Sequence, residues 1–255
     1  LRKLSKKFIA SLFTMKLLNG KKLSQKILND LKKEIERKKL KLKLAVVLVG
    51  EDLDSKIFVK QKRKACELVG IDFELFQLSE QIQQIELAEK IKKIVKSDIS
   101  GLVIQLPLPK HINTDKILNL VPKEKDAELI SPVVCAISRL LEEYKISLKN
   151  KNIVLIGKGR LVGQPVADWL KKQGLNFSGL KDIKQADVVI SGVGRTNFIK
   201  GDMIKKGAVV IDVGRDIDFE TVSKKAGYLT PTPGGVGPMT VACLLKNLVY
   251  GFISI

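Results

Sequence analysis

The chain has 255 residues, 45% of them hydrophobic, which is enough for one large α/β domain or two smaller ones, and no apolar run approaches the ~20 residues that a membrane helix needs. The three cysteines are far apart in the sequence, which excludes a cysteine zinc site and a disulfide framework. His111 is the single histidine, which disfavours multi-histidine metal sites and Ser-His-Asp hydrolases. The formal charge of +19 suggests nucleic acid, but only seven of the 46 basic residues are arginines, whose planar fork recognises phosphates and bases. We therefore expect no metal, membrane or nucleic-acid partner, and we interpret the lysines as a solvated surface that attracts small polyanions.

The first half of the chain alternates helical and strand patterns. Residues 1–14 are basic with a short apolar centre, and we interpret them as an extension without function upstream of Met15. The elements predicted next are a helix over 23–40, a strand over 44–49, a helix over 54–69, a strand over 73–78, a helix over 80–95 and a strand over 101–106.

The second half repeats this alternation around a glycine-rich turn. The elements predicted there are a helix over 136–144, a strand over 152–156, a helix over 166–173, strands over 188–191 and 208–213, and a helix over 240–249. Such alternation favours parallel sheets with helical crossovers. We therefore predict an α/β fold of two lobes that join near residue 136, with the cleft between them as the ligand site.

Gly157, Gly159 and Gly163 form a G-x-G-x-x-x-G turn between a predicted strand and a predicted helix. This order places backbone N–H groups and a helix N-terminus against a phosphate, although an ordinary β–α connection explains the glycines equally well. Lys158 and Arg160 flank the middle glycine and add positive charge. The turn predicts a nucleotide phosphate site.

Lys62 shares one face of its predicted helix with Ser55 and Phe58, at spacings i, i+3 and i+7. A lone lysine on a helix is usually a solvated charge. Gln105 ends a predicted strand just before Pro107, at the end of a parallel strand where ligand sites form. Taken alone, Gln105 is better explained as a polar residue at a strand end that faces water.

Two further segments carry polar or rigid patterns. Asp126 and Glu128 follow Pro122 in VPKEKDAE, which the residues alone explain as a polar loop. The segment TPTPGGVGPMT, residues 230–240, holds three glycines and three prolines, and such a rigid loop with exposed backbone is typical of a functional segment.

Six stretches in this order resemble the bifunctional methylenetetrahydrofolate dehydrogenase/methenyltetrahydrofolate cyclohydrolase family. They are VLVGEDLDSKIFVKQKRKACELVGI, GLVIQLPLP, VPKEKDAE, VLIGKGRLVGQPVADWL, ADVVISGVGRTNFIKGDMIKKGAVVIDVG and TPTPGGVGPMT. The resemblance covers nearly the whole chain from Met15 to Val249. It implies a catalytic folate-binding domain of residues 15–135 with the C-terminal helix of about 240–255, and a Rossmann-like NAD(P)-binding domain of residues 136–239.

The resemblance implies an enzyme that oxidises 5,10-methylenetetrahydrofolate with NADP⁺, with NAD⁺ as the alternative cofactor, and hydrolyses the methenyl product to 10-formyltetrahydrofolate. Such an enzyme is a cytoplasmic homodimer of one-carbon metabolism that supports purine, methionine and histidine biosynthesis.

The resemblance also assigns roles to individual residues. Lys62 is implied as the catalytic lysine, hydrogen-bonded and oriented by Gln105, with Phe58 stacking on the substrate. The implied substrate-binding residues are Asp126, Glu128, Pro233, Gly234 and Gly235. The implied cofactor-binding residues are Gly157, Lys158, Gly159, Arg160, Gly163 and Arg215, and no metal is implied.

The chain departs from the family pattern at several of these positions. Phe58 stands where the family has tyrosine, and Glu128 where it has aspartate. Lys158 and Gly159 replace an arginine and a serine, and the stretch between Gly174 and Asp187 is shorter than usual. The alternatives are a cyclohydrolase without hydride transfer, a catalytically weak folate-binding relative and, on charge alone, a nucleic-acid-binding protein.

Overall fold

The computed structural model describes residues 15–253, so the interpretation of residues 1–14 lies outside the described part. The chain folds as two compact units. The first unit contains residues 24–132 and 240–253, and the second contains residues 15–23 and 133–239. Residues 15–23 therefore group with the second unit, whereas the sequence-based division assigned them to the catalytic domain.

The described helices are, in chain order, α1 (Gly20–Lys38), α2 (Leu53–Val69), α3 (Gln84–Val95), α4 (Thr114–Leu118), α5 (Pro132–Glu143), α6 (Gly163–Lys172), α7 (Phe219–Ser223) and α8 (Val236–Ile253). The strands are β1 (Lys16–Leu17), β2 (Lys43–Val49), β3 (Asp72–Leu78), β4 (Gly101–Ile104), β5 (Ile153–Ile156), β6 (Phe177–Ser178), β7 (Val188–Ser191), β8 (Val209–Asp212) and β9 (Tyr228–Leu229). Short 3₁₀ turns cover Leu180–Gln185 and Gly201–Met203.

Each helix and strand predicted from the sequence is present, with shifted ends. Helix α3 begins at Gln84 rather than at residue 80, because Gln83 is extended and the preceding residues form a turn. Helix α8 begins earlier than predicted, at Val236 within the glycine–proline segment. The two-residue strands and the five-residue helices are too short to show a period in the sequence.

In the first unit a parallel sheet has the order β3-β2-β4. The central strand β2 is buried on both faces, which explains its continuous apolar run. Alternate side chains point to opposite faces. Leu44, Val46 and Leu48 pack in a core with side chains from α1, α2 and α8, while Ala45, Val47 and Val49 join a second core that includes α3.

In the second unit all strands are parallel, in the order β1-β9-β8-β7-β5-β6. Strands β5, β7 and β8 are fully buried at the centre of this sheet, and their side chains contribute to the unit's core. The predicted α/β class, with parallel sheets in two units, is confirmed. The carboxyl ends of β5, β7 and β8 lie side by side, where parallel sheets bind ligands.

Cys66, Cys135 and Cys243 are thiols that form no disulfide bond. Cys66 and Cys243 are buried in the first unit, and Cys135 is half-buried in the second. Over residues 15–253, no helix has the length and apolar character that crossing a membrane requires.

Candidate active site

Lys62 is a buried cation on α2. The helix begins after Asp52, whose carboxylate accepts a hydrogen bond from the backbone N–H of Ser55 at 2.7 Å, and it ends at Gly70, which adopts φ 81°. The buried residues of α2 recur at helical spacing, and Lys62 lies on that inward face with only 7% of its surface exposed. The fold thus places the lysine inside the unit rather than in solvent.

Gln105 directly follows β4 and holds the Lys62 side chain. Its backbone N–H donates to the Val47 carbonyl at 2.8 Å, which fixes the residue at the carboxyl end of the sheet. Lys62 Nζ donates to Gln105 Oε1 at 2.9 Å, and Gln105 Nε2 donates to the Leu106 carbonyl at 3.0 Å. Because the amide nitrogen is engaged by Leu106, the amide oxygen faces the ammonium group. The hydrogen bond between Lys62 and Gln105 that the family resemblance implied is present.

The segment that carries Asp126 and Glu128 is an extension of the sheet rather than a free loop. Leu102 of β4 donates its N–H to the Lys125 carbonyl at 2.7 Å, and Ala127 donates to the Leu102 carbonyl at 3.3 Å. Lys125 Nζ also donates to the backbone carbonyl of Val95 at 2.8 Å, at the end of α3. Ala127 is buried in the core, so the acidic residues on either side of it are held in place.

Glu128 completes the cluster around the lysine. Its Oε1 lies 3.6 Å from Lys62 Nζ, and its side chain is 35% exposed. Asp126 is half-buried and accepts the Glu128 N–H at 2.9 Å, and burial raises the pKa of its carboxyl. The cluster joins a buried cation, an amide oxygen and a carboxylate, an arrangement suited to proton transfer and to orienting a polar substrate.

Two neighbours on α2 differ in their environment. Phe58 lies one turn before Lys62 and is 37% exposed, so its ring is available for stacking. Cys66 lies one turn after Lys62 and is buried, and burial raises the pKa of its thiol to about 12. The thiol therefore stays protonated near neutral pH and does not act as a nucleophile.

The glycine turn of the second unit follows β5 and leads into α6. Gly157 has φ 109°, and a Cβ there would lie 2.6 Å from the Gly192 carbonyl oxygen. A Cβ on Gly163 would overlap the Gly157 carbonyl, whereas one on Gly159 would meet no atom within 4 Å. Gly157 and Gly163 thus permit the close packing of strand, turn and helix, and Gly159 leaves open backbone beside the helix N-terminus.

Charged residues surround this turn. Lys158 and Arg160 are exposed on either side of Gly159. Arg215 is exposed just after β8, in a left-handed conformation with φ 62°. The turn and β8 belong to one unit and lie at the same edge of the sheet, so the three cations add positive charge at that edge.

The glycine–proline segment also belongs to the second unit. The Thr232–Pro233 bond is cis, and Gly234 has φ 109°. The Gly234 carbonyl accepts a hydrogen bond from Lys21 of α1 at 2.8 Å, and a Cβ on Gly235 would lie 2.6 Å from the Pro231 carbonyl oxygen. Gly235 is therefore required by close backbone packing, and Gly234 by its positive φ.

Two buried aspartates that no sequence pattern singled out lie at the carboxyl end of the second unit's sheet. Asp212 ends β8 and accepts hydrogen bonds from Asp216 N–H at 2.9 Å and from Thr232 Oγ1 at 3.2 Å. Asp216 is fully buried, and its carboxylate accepts from the hydroxyl of Ser191, at the end of β7, at 2.6 Å. The only signal in the sequence was their place just after an apolar strand.

The first unit has a parallel sheet and a buried lysine cluster, and the second has a glycine turn at the end of a strand. These features define a two-domain α/β enzyme with a nucleotide site. The family model for the catalytic domain of tetrahydrofolate dehydrogenase/cyclohydrolase matches residues 18–128, and the model for its NAD(P)-binding domain matches residues 131–253. The chain therefore belongs to the tetrahydrofolate dehydrogenase/cyclohydrolase family.

Individual relatives match along most of the chain. The bifunctional protein FolD of Nautilia profundicola is 43% identical, over 92% of this chain and 96% of its own length. The crystal structure of the bifunctional FolD enzyme from Campylobacter jejuni is 37% identical, with a TM-score of 0.86, over 94% of this chain and 99% of that one.

A third relative was solved with ligands. The FolD structure from Trypanosoma brucei, complexed with NADP cofactor and inhibitor, is 29% identical with a TM-score of 0.88, over 94% of this chain and 98% of that one. Because both domain models match, the alternative without hydride transfer is not favoured.

Proposed function

We propose that this protein oxidises 5,10-methylenetetrahydrofolate to 5,10-methenyltetrahydrofolate with NADP⁺ and hydrolyses the product to 10-formyltetrahydrofolate. The observation that carries the proposal is the Lys62–Gln105–Glu128 cluster, which lies within the region matched by the family's catalytic domain. The nucleotide-binding unit, matched by the second domain model, supports the oxidative half of the activity.

Lys62 carries the acid–base chemistry in this proposal. Hydrolysis adds water to the methenyl carbon, with one proton lost to solvent. A C–N bond of the adduct then breaks, the released nitrogen gains a proton, and the hydroxyl group loses one to become the formyl oxygen. The Lys62 ammonium group, oriented by Gln105 Oε1 at 2.9 Å and by the Glu128 carboxylate at 3.6 Å, gives the released nitrogen its proton. The amine so formed takes the proton of the hydroxyl group and returns to the ammonium form. Cys66 remains a neutral thiol with a pKa of about 12 and takes no part.

The acidic residues and the exposed ring bind the folate. Asp126 and Glu128 are held by the pairing of residues 125–127 with β4, so their carboxylates accept hydrogen bonds from the pterin N–H groups in a fixed direction. The exposed ring of Phe58 stacks on the aromatic part of the substrate. The family resemblance alone assigns Pro233, Gly234 and Gly235 to substrate binding.

The glycine turn holds the dinucleotide cofactor. The residues present fit its phosphates: a Cβ on Gly159 would project into open space, and the turn leads directly into the N-terminus of α6. Lys158 and Arg160 supply positive charge for the phosphates, and Arg215 lies at the neighbouring strand end. NADP⁺ supplies the hydride acceptor when bound, with NAD⁺ as the alternative.

The assembly and setting follow from family resemblance. A cytoplasmic homodimer in one-carbon metabolism, supporting purine, methionine and histidine biosynthesis, is consistent with it. Light scattering of the purified protein measures the oligomeric state, and a monomer at working concentration contradicts this part of the proposal.

Two assays on purified protein test the activity. The first mixes the protein with 5,10-methylenetetrahydrofolate and either NADP⁺ or NAD⁺, and follows the absorbance of the methenyl product and of reduced nucleotide. The second supplies methenyltetrahydrofolate without nucleotide and follows its hydrolysis. We expect both activities, and the absence of both products contradicts the proposal.

A further inference from the structure

Asp216 is a fully buried carboxylate that the proposed chemistry does not use. Its Oδ2 accepts from Ser191 Oγ at 2.6 Å and from the Val193 N–H at 2.8 Å, and its Oδ1 accepts from the Arg195 N–H at 2.7 Å. Three donors from one short stretch of chain thus converge on a single side chain. An ionised carboxylate accepts hydrogen bonds and donates none, so it matches three donors without conflict.

These donors fix the loop of residues 192–195, which follows β7. The loop is mostly exposed, and Val193 is 38% exposed, so little side-chain burial holds it. It lies directly beside the glycine turn, because a Cβ on Gly157 would be 2.6 Å from the Gly192 carbonyl oxygen. Loop 192–195 therefore borders the glycine turn, and its position limits the space beside the turn.

The backbone around Asp216 is shaped to bring the carboxylate under the loop. A Cβ on Gly214 would lie 2.7 Å from Asp216 Oδ2 and 2.8 Å from the Gly194 nitrogen. Arg215 takes a left-handed conformation, with φ 62°, which is uncommon for a residue with a side chain. Asp216 N–H is held by Asp212 at 2.9 Å. The left-handed conformation of Arg215 is thus part of the turn that places one buried carboxylate beside the loop.

We propose that Asp216 is a positioning residue for the pyridine nucleotide, which orders loop 192–195 and sets its distance from the glycine turn. The inference rests on the proposed function, because it assumes that the nucleotide lies on this turn. Asp216 itself is fully buried and acts through the loop. Its loss weakens nucleotide binding and leaves the hydrolytic reaction, which uses no nucleotide, unchanged.

Asp216→Asn keeps the size of the side chain and replaces one of its two acceptor oxygens by an NH₂ group. An amide presents one acceptor oxygen, so either the Val193 or the Arg195 N–H would face the NH₂ group, a donor opposite a donor. Ser191→Ala removes the hydroxyl donor and keeps both backbone bonds, so its effect is the smaller one. Asp218→Asn is the matched control: it lies two residues away and caps α7 through Thr221 N–H, a role that asparagine fills equally well.

The experiment compares the four full-length proteins: wild type, Asp216→Asn, Ser191→Ala and Asp218→Asn. NADP⁺ titration is followed by the fluorescence of Trp169, the chain's one tryptophan, which lies on α6. For each protein we also measure the dehydrogenase KM and kcat, the cyclohydrolase rate, the thermal midpoint of unfolding and the hydrogen exchange of the Val193 and Arg195 amides.

We expect Asp216→Asn to raise the Kd and KM for NADP⁺ about tenfold, equivalent to about 1.4 kcal/mol, with faster exchange at one of the two amides. Cyclohydrolase rate should match that of Asp218→Asn. The inference is overturned if Asp216→Asn leaves the KM for NADP⁺ or the exchange of the two amides unchanged. It is also overturned if both activities fall in parallel with the thermal midpoint. If the wild type neither binds nor reduces a nucleotide, the proposed function fails, and amide exchange still decides whether Asp216 orders the loop.

Discussion

Replacing Lys62 by methionine removes the ammonium group while keeping an unbranched stem of similar length. Gln105 Oε1 then loses its donor, and an unsatisfied buried acceptor costs about 1–3 kcal/mol. The substitution also removes a cation that is only 7% exposed, whose burial costs several kcal/mol. Glu128 is 35% exposed and regains water. Because these effects oppose each other, we expect the free energy of unfolding to change by about 1 kcal/mol or less, which shifts the thermal midpoint by at most about 2–4 °C.

The effect on activity should be much larger. A positioned acid–base group contributes about 10²–10⁴ in rate, which corresponds to about 2.7–5.5 kcal/mol of barrier. We therefore expect Lys62→Met to hydrolyse methenyltetrahydrofolate at least about 100-fold more slowly than the wild type. Lys64→Met, at an exposed position on the same helix, is the control and should keep the wild-type rate. A folded Lys62→Met protein with wild-type hydrolysis would refute the reasoning.

Three other predictions concern the substrate and the cofactor. Phe58→Tyr should raise the cyclohydrolase rate, because it restores the hydroxyl group that the family has at this position, and the 37% exposed ring leaves room for it; an equal or lower rate means that the site has adapted to phenylalanine. The pKa of Asp126 is raised by burial, so its carboxylate is protonated, and folate affinity lost, at a higher pH than for an ordinary aspartate as the pH falls. The KM for folate should therefore rise on acidification, and an identical pH profile in Asp126→Asn would assign the effect to another group. Titration of both nucleotides at low and moderate salt should show weak binding with little preference for NADP⁺, and Lys158→Ala and Arg160→Ala should weaken NADP⁺ more than NAD⁺. A tight, salt-insensitive preference for NADP⁺ would place the phosphate site elsewhere.

Much of the fold was predictable because its core strands are buried on both faces. Strands β2 and β7 appear as continuous apolar runs bounded by glycine, serine or charge, and such runs are visible without knowing their neighbours. The contact between Lys62 and Gln105 was also predictable, but only from the family resemblance. Their spacing of 43 residues has no meaning until β4 is placed beside β2.

The remaining features depend on contacts between distant segments. VPKEKDAE has the composition of a loop, yet it pairs with Leu102 because β4 has a free edge on that side. Asp216 lies among several charged residues after β8, and its partners are two backbone N–H groups and one hydroxyl from 21 to 25 residues earlier. Backbone donors are present in every residue type, so no sequence pattern identifies them.

The positions of the three cysteines allow local opening of the protein to be measured by thiol labelling. Cys66 and Cys243 are both buried in the first unit, and the pKa of Cys66 is about 12, so a thiol reagent reaches them only when that unit opens. Cys135, half-buried in the second unit, gives a separate signal. A ligand that binds only the closed form slows labelling of the two buried cysteines in proportion to its occupancy. Labelling rates measured against folate concentration would thus give the substrate affinity of the first unit without turnover, and without any added chromophore.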